Sequence, residues 1–308
     1  MRLNYHLLDV FSERQFGGNQ LAVFPDPPRD LPARAMQAIA KELNLSESTF
    51  VFPPHDRSND FHLRIFTPAA ELPMAGHPTI GSAYMLARLG TLGRIDGERS
   101  IIFEEGVGPI TVTIRAQADS EPAEVWMKQP IPQFLDIHDD RRLIAEMLSL
   151  SAEDLRADAP IQVLSSGLPF LYVAVNSLDA IRRIRLRQDK WAAHLAGKPG
   201  ENIFATTTET VQENSTVHSR MFAPALGINE DPATGSASGP LGAYLLKYGL
   251  VQSGDMVSEQ GFEIGRPSFL RIALRPKGDS FSEVAVGGAC AYVGYGTLCV
   301  DLDRLMLE

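Results

Sequence analysis

Cysteine is scarce in this sequence. Cys290 and Cys299 are the only two among 308 residues, and they do not form a C-x-x-C pair. The spacing that marks redox motifs and thiolate zinc sites is therefore absent. Because their odd separation places the two side chains on opposite faces of any single strand, they are not partners there, and we predict buried free thiols.

Long apolar runs and an excess of positive charge are missing as well. No apolar run approaches the roughly 18 residues of a membrane span, and the chain passes from Met1 straight into strand-like sequence, without the pattern of a signal peptide. Lys and Arg number 28 against 38 Asp and Glu, a net charge of −10, which argues against nucleic-acid and anionic membrane surfaces. We expect a cytoplasmic protein with neither kind of partner.

Nucleotide-binding motifs are also absent. No Walker or G-x-G-x-x-G pattern stands between a predicted strand and a predicted helix. A hydrophobic content of 44% with 21% charged residues is typical of a folded soluble protein. The length allows one large domain or two of ordinary size.

What the sequence does contain is a motif that occurs twice, half a chain length apart. Residues 76–83 read GHPTIGSA and residues 230–237 read EDPATGSA. The preceding segments match too, because residues 62–68 (HLRIFTP) and 218–224 (HSRMFAP) share His, Arg, Phe and Pro at the same spacing. A repeat of this length indicates two copies of one structural unit.

The two copies differ at their first polar position, which is His77 in one and Asp231 in the other. A proline follows each, and proline is tolerated at the first position of a helix, so both residues are predicted at or near helix N-caps. Helix N-termini carry unpaired N–H groups and partial positive charge, which suits an anion. If the halves face each other, one cleft receives both helix starts. The alternative is that Asp231 is an ordinary cap and His77 a loop residue.

Periodicity predicts the elements around these motifs. Helices are expected at about 31–43, from Pro78 to Leu89 with Gly90 as the stop, at 139–148, around 178–196, and from Pro232 with Gly249 as the stop and Pro240 inside. Both motif helices are nearly uncharged and should be core helices. Strand-like runs fill most of the remainder. These patterns favour an α+β fold of two pseudo-symmetric lobes, each a curled, mostly antiparallel sheet or half-barrel around a central apolar helix, with a polar boundary at 116–122.

Two polar residues before the first motif have alternative interpretations. Asn19 follows Gly17 and Gly18 in a segment suited to a turn with positive φ, so it could serve turn formation alone. Glu47 stands where the chain enters the strand-like run 48–52. Such a carboxylate is either solvated at a sheet edge or held in a cleft.

Six segments together resemble the PhzF-like family, named for phenazine biosynthesis. They are residues 18–24, 44–50, 64–68, 71–78, 230–237 and 260–267. The resemblance spans nearly the whole chain and implies the fold of diaminopimelate epimerase and proline racemase, with the C-terminal strand returning to the first lobe. It implies an N-terminal lobe of residues 1–119 plus 289–308 and a C-terminal lobe of residues 120–288. It also implies a homodimer and an isomerisation that uses no cofactor and no metal.

The resemblance further implies catalytic roles. In the phenazine enzyme, which isomerises trans-2,3-dihydro-3-hydroxyanthranilate, a glutamate matching Glu47 moves a proton from C3 toward C1, and groups matching His77 and Asp231 assist. A carboxylate in an apolar cleft suits this work, because desolvation lets it take and return a proton near neutrality. Five further residues are expected to bind a small-molecule carboxylate substrate: Asn19, Ser46, Gly76, Gly235 and Ser236.

Other functions stay open. The phenazine enzymes have Gly-Pro-Arg-His where this chain has residues 167–170 (GLPF), so the substrate could be another small cyclic or allylic carboxylate. A second alternative is that the protein binds a small carboxylate without catalysing a reaction. A racemase or epimerase acting at Cα is a third, but it would have to work without the paired cysteines of the epimerase relatives.

Overall fold

A computed structural model describes residues 1–117, 122–278 and 280–302. Contacts divide the chain into two compact units: an N-terminal unit of residues 1–128 with the residues from 287 onward, and a C-terminal unit of residues 129–286. The polar boundary expected at 116–122 falls largely on 118–121, outside the described residues. Within the described ranges, no helix combines the length and apolarity needed to cross a bilayer.

The N-terminal unit opens with strands and two helices. In chain order these are β1 (Arg2–Val10), β2 (Asn19–Phe24), α1 (Ala33–Leu43), β3 (Glu47–Phe52), β4 (Phe61–Phe66), β5 (Glu71–Leu72), α2 (Gly76–Arg88), β6 (Glu98–Glu105), β7 (Gly108–Ala116) and β8 (Pro122–Lys128). Helix α1 is amphipathic and buries Ala35, Met36, Ile39 and Ala40, as its spacing predicts. Helix α2 is buried from Gly76 to Ala87, the central apolar helix expected of this lobe.

The C-terminal unit contains the elements that follow. They are β9 (Gln133–Ile137), α3 (Arg141–Met147), β10 (Gln162–Ser165), β11 (Pro169–Ala174), α4 (Leu178–Arg183), α5 (Gln188–His194), β12 (Asn202–Thr207), β13 (Val217–Ala223), β14 (Ile228–Asp231), α6 (Gly235–Lys247), β15 (Asp255–Gln260), β16 (Ser268–Lys277) and β17 (Ser280–Gly288). Helix α6 is the second apolar helix, and Pro240 lies inside it as expected.

The two units repeat one order of strand pairings. In the N-terminal unit β1–β2, β3–β4 and β6–β7 pair antiparallel, whereas β2–β3 and β4–β6 pair parallel. In the C-terminal unit β10–β11, β12–β13 and β15–β16 pair antiparallel, whereas β11–β12 and β13–β15 pair parallel. The predicted α+β fold with pseudo-symmetric, mostly antiparallel lobes is confirmed, and its physical basis is the internal sequence repeat.

The last strand, β18 (Cys290–Cys299), belongs to the N-terminal unit. It pairs antiparallel with β1 from Arg2, opposite Cys299, to Val10, opposite Cys290. The strand returns to the first lobe, as the resemblance implies. The prediction that both cysteines are buried is wrong for Cys299, which ends β18 opposite the exposed Arg2, whereas Cys290 is buried opposite Val10; both thiols are free.

The prediction of one continuous helix after β11 is wrong. The helix expected at 178–196 is interrupted between Arg183 and Gln188. The backbone N–H groups of Arg185 and Arg187 donate to carbonyls at the end of α3, and the guanidinium of Arg220 donates to the carbonyls of Ile181 and Ile184. These long-range bonds replace the helical ones, which the local sequence could not indicate.

Candidate active site

The buried pair at the centre of the N-terminal unit consists of Glu47 and His77. Glu47 is the first residue of β3, and His77 is the second residue of α2. Glu47 Oε2 lies 3.0 Å from His77 Nε2, and the two side chains are only 10% and 7% exposed. The contact is at ion-pair distance, although its angles are not those of an aligned hydrogen bond. The structure therefore places the carboxylate in a desolvated position, not solvated at a sheet edge.

The start of α2 differs from the prediction and explains where His77 stands. The helix begins at Gly76, two residues before the expected Pro78, and its N-cap is Ala75 in an extended conformation. His77 is therefore neither a cap nor a loop residue but lies in the first turn. The C-terminal end is as predicted, with Gly90 at φ +72° after Arg88. The Glu47 carboxylate thus contacts a helix N-terminus, where the dipole favours negative charge.

Asn19 and Ser46 lie close to Glu47 along the chain and the sheet. Asn19 is the fully buried first residue of β2, which runs parallel to β3 and places Leu21 opposite Glu47. The turn before it requires glycine, because Gly18 has φ +62° and a Cβ there would collide with the carbonyl of Val10. Ser46 is half-buried immediately before Glu47. Asn19 is thus a buried strand residue beyond the turn.

In the C-terminal unit, Asp231 is held by a short hydrogen-bonded chain. Thr234 Oγ1 donates to Asp231 Oδ2 at 2.6 Å. Gln260 Nε2 donates to the backbone carbonyl of Asp231 at 2.8 Å and to Thr234 Oγ1 at 3.0 Å, and it is buried. Gln260 was not among the predicted site residues, although it opens one of the six family-like segments.

The second motif helix also starts elsewhere than predicted. Helix α6 begins at Gly235, not at Pro232, and its N-cap is Thr234. Asp231 is the last residue of β14 and so is not a helix cap. Gly235 and Ser236 are the first two residues of the helix, and the carbonyl of Gly235 accepts a hydrogen bond from Gln129 Nε2 at 2.9 Å. The two motifs thus match in sequence but not in where their helices begin.

A buried charge network supports the Asp231 segment. Arg220 on β13 donates from Nε and Nη2 to both oxygens of Glu230, at 2.8 and 2.6 Å, directly before Asp231. On the same strand the His218 ring lies between two carboxylates, with Nδ1 2.7 Å from Glu259 and Nε2 3.0 Å from Glu263. Burial lowers the pKa of His218, but these hydrogen bonds outweigh it and the net pKa is raised. The repeat marked both residues in sequence without indicating this role.

One further acid is buried in the N-terminal unit. Glu105, the last residue of β6, is 6% exposed, and its Oε1 lies 2.6 Å from Thr79 Oγ1 in α2. Burial raises the pKa of Glu105 to about 8, against an opposing contribution from the Thr79 hydroxyl. Sequence reasoning missed this residue, because a glutamate that ends a strand is normally solvated.

Known proteins are similar to this chain along nearly its full length. The family described as Phenazine biosynthesis-like protein matches residues 8–296. The trans-2,3-dihydro-3-hydroxyanthranilate isomerase of Pseudomonas fluorescens is 36% identical over 96% of this chain and 99% of its own. The crystal structure of a Bacillus anthracis phenazine biosynthesis protein of the PhzF family covers 97% of this chain and 100% of its own, with 27% identity and a TM-score of 0.87.

A more distant structure shares the fold alone. The hydroxyproline epimerase of Agrobacterium vitis covers 97% of this chain and 93% of its own, with a TM-score of 0.64 and 11% identity. This similarity agrees with the racemase and epimerase fold that the sequence resemblance implies. In the described part of the chain, no three His, Cys, Asp or Glu side chains cluster in a way that could hold a metal ion.

Proposed function

The chain belongs to the phenazine biosynthesis-like protein family and is an isomerase, and from that premise we propose that it moves a proton within a small cyclic or allylic carboxylate without a cofactor. One C–H bond of the substrate breaks, the π electrons shift, and a C–H bond forms at a second carbon. The base therefore ends each turnover as it began, which is why one carboxylate is sufficient.

The observation that carries this proposal is the buried contact between Glu47 and His77. A base acts best when it is desolvated and within reach of a second proton-bearing group. Glu47 has a flexible side chain long enough to serve two carbons on one face of a substrate. His77 supports it by sharing or relaying a proton through Nε2.

Asp231 and the helix starts supply the other parts of the proposal. Asp231 is fixed by Thr234 and Gln260, which suits a positioned hydrogen-bonding group. The first-turn residues Gly76, Gly235 and Ser236 offer helix N-termini to a substrate carboxylate. Ser46 and Asn19 are proposed to contact the substrate as well, and a homodimer remains part of the proposal.

Turnover in heavy water tests the proposed reaction. The probe is trans-2,3-dihydro-3-hydroxyanthranilate, the compound in the name of the Pseudomonas fluorescens relative, together with small cyclic and allylic carboxylates that raise the melting temperature. We expect an isomeric product, with solvent deuterium at the carbon that receives the proton in those turnovers where the Glu47 carboxyl exchanges first.

The other two functions give different results in the same experiment. A carboxylate binder would raise the melting temperature without product or label. A racemase acting at Cα would take up label at that carbon and lose optical activity. Either result would overturn the proposed reaction.

Asp231→Asn tests the assisting role. The amide keeps the shape but removes the negative charge and one acceptor oxygen, so we expect kcat to fall while the fold is retained. Asp255→Asn is the matched control, because the Asp255 side chain is exposed and pairs with the surface residue Arg275. Equal activities of the two variants would remove Asp231 from the proposal.

A further inference from the structure

Glu105 and Gln260 occupy the same place in the two units. Each is the last residue of the strand that runs parallel to the His- and Arg-bearing strand of its repeat: β6 beside β4, and β15 beside β13. The residue before each pairs with the repeated histidine, Glu104 opposite His62 and Glu259 opposite His218. Each side chain then bonds a threonine of its motif, Thr79 or Thr234. The C-terminal unit therefore has the amide of Gln260 where the N-terminal unit has the carboxyl of Glu105.

The hydrogen bonds at Thr79 indicate whether the Glu105 carboxyl is protonated or ionised. Thr79 Oγ1 lies 2.7 Å from the carbonyl oxygen of Ala75 and 2.6 Å from Glu105 Oε1. A hydroxyl has one hydrogen to donate, and a carbonyl can only accept. If the Thr79 hydrogen goes to Ala75, the short contact to Glu105 needs a hydrogen from the carboxyl. The two bonds can exist together only when Glu105 carries a proton.

We propose that Glu105, in its neutral acid form, is a positioning residue for the His77 motif and does for the N-terminal unit what Gln260 does for the other. The proton on Glu105 lets Thr79 hold the carbonyl of Ala75, the N-cap immediately before Gly76 and His77. When that proton leaves, the Thr79 hydrogen turns to the carboxylate and Ala75 loses its side-chain donor. This proposal concerns the geometry of His77 and stands independently of any substrate.

The surroundings of Glu105 keep it neutral at ordinary pH. Its Oε2 has no hydrogen-bond partner among the described residues, so an ionised carboxylate would be poorly satisfied. The charged or titratable groups on the elements around it are Glu98, Arg99 and Glu104 on β6, His62 and Arg64 on β4, Glu71 on β5, His77, Tyr84 and Arg88 on α2, and Arg115 on β7. None of these is a cause of the shift in its pKa to about 8, which burial produces.

Stability as a function of pH tests the proton on Glu105. The folded protein holds this proton up to about pH 8, whereas the unfolded chain releases it near the ordinary value of 4.5. Between these values the unfolded state binds fewer protons, so rising pH favours unfolding, by up to about tenfold in the unfolding constant per pH unit. We expect the ratio of the wild-type unfolding constant to that of Glu105→Gln to rise from about pH 5 to about pH 8 and then to level off.

Glu104→Gln is the matched control. Backbone and side-chain hydrogen bonds, the one from the Asp56 N–H foremost, lower the pKa of Glu104 to about 2, so it is ionised in both states throughout this range. Because Glu104 contacts His55 and lies opposite His62, the ratio to wild type is compared at about pH 7–8, where histidines are mostly neutral, and there it should not vary with pH. A pH-independent ratio for Glu105→Gln would overturn the proposal.

A second measurement distinguishes a Glu105 that positions His77 from a Glu105 that only stabilises the fold. We expect the imidazole NMR signals of His77 to show an inflection near pH 8 in the wild-type protein and none in Glu105→Gln. Should Glu105→Gln fail to fold, the wild-type protein decides by infrared spectroscopy: the carbonyl band of a buried carboxylic acid is present at pH 7 and lost by pH 9.5. Absence of the inflection, or of the band, would contradict the proposal.

Discussion

The two acidic side chains to which catalytic roles are proposed are held in opposite ways. Glu47 meets a histidine side chain at 3.0 Å, so its nearest described partner can itself carry a proton. Asp231 is fixed by Thr234 and Gln260, whose groups do not titrate in the accessible range. This difference favours Glu47 as the group that moves a proton and Asp231 as the group that orients.

The guanidinium of Arg220 provides a prediction for stability. Arg220→Met leaves the Glu230 carboxylate, which is 10% exposed, without its two-bond partner. Breaking a buried pair in this way costs about 3–5 kcal/mol. Urea denaturation should show this loss, compared with a much smaller one for Arg275→Met, which breaks an exposed, solvent-screened pair with Asp255. Equal losses for the two variants would mean that the buried network contributes no special stability.

At the residue scale, the sequence indicated candidate site residues better than it indicated the hydrogen-bond partners that hold them. His77 was recognisable from the repeated motif and the glycine before Asn19 from turn chemistry, whereas Glu47 was recognisable only through the family resemblance. Glu105 and Gln260 were not, because their importance depends on hydrogen bonds to threonines far along the chain. Such bonds leave no local periodicity.

Among the elements, α2 is packed closely against its sheet at Gly81. A Cβ there would lie 2.5 Å from Leu21 Cδ2 and 2.7 Å from Val10 Cγ2, and both neighbours are fully buried. Gly81→Ala gains about 1 kcal/mol of helix propensity but overpacks the core, so we expect a net loss of about 1–3 kcal/mol in the free energy of unfolding.

The control for this prediction is Gly294→Ala on β18, where a Cβ meets nothing within 4 Å. Chemical denaturation should show a change of no more than about 0.5 kcal/mol there. If Gly81→Ala were as stable as Gly294→Ala, close approach would not be the reason for glycine at position 81.

Element boundaries show where local sequence stops being informative. Helical spacing of apolar residues predicted α1, which buries one face, whereas nearly uncharged runs that start at a proline and end at a glycine predicted α2 and α6. These patterns did not predict that α6 begins at Gly235, since the segment from Asp231 to Thr234 is held by Gln260 from a distant strand. The break between α4 and α5 depends in the same way on Arg220 and on the end of α3.

At the scale of the whole molecule, strand β18 belongs to the N-terminal unit although it lies near the other end of the sequence. It gives β1 a second partner across nine residue pairs and adds Leu298 to the core formed with α1. A chain ending at Gly288 should leave β1 as an edge strand that is paired with β2 alone. Hydrogen exchange should then show protection falling at the β1 amides that bond β18 and persisting at those that bond β2. Unchanged protection would mean that β18 is dispensable for this unit.

The order of pairings in each unit was predictable because the sequence repeats. His62 and Arg64 reappear as His218 and Arg220, and the strands that carry them pair alike in both units. The return of the last strand was not visible in composition or periodicity and came only from family resemblance. Non-local pairing of this kind is decided by the complete fold.

The most direct test of the central claim is the isomerisation rate of Glu47→Gln on a substrate identified with the wild-type enzyme. The amide preserves size but cannot accept a proton, so kcat should fall by about a hundred- to ten-thousand-fold with the fold unchanged. Glu42→Gln, the same substitution on the exposed face of α1, should retain the wild-type rate. A Glu47→Gln enzyme as fast as Glu42→Gln would contradict the assignment of Glu47 as the proton-carrying base.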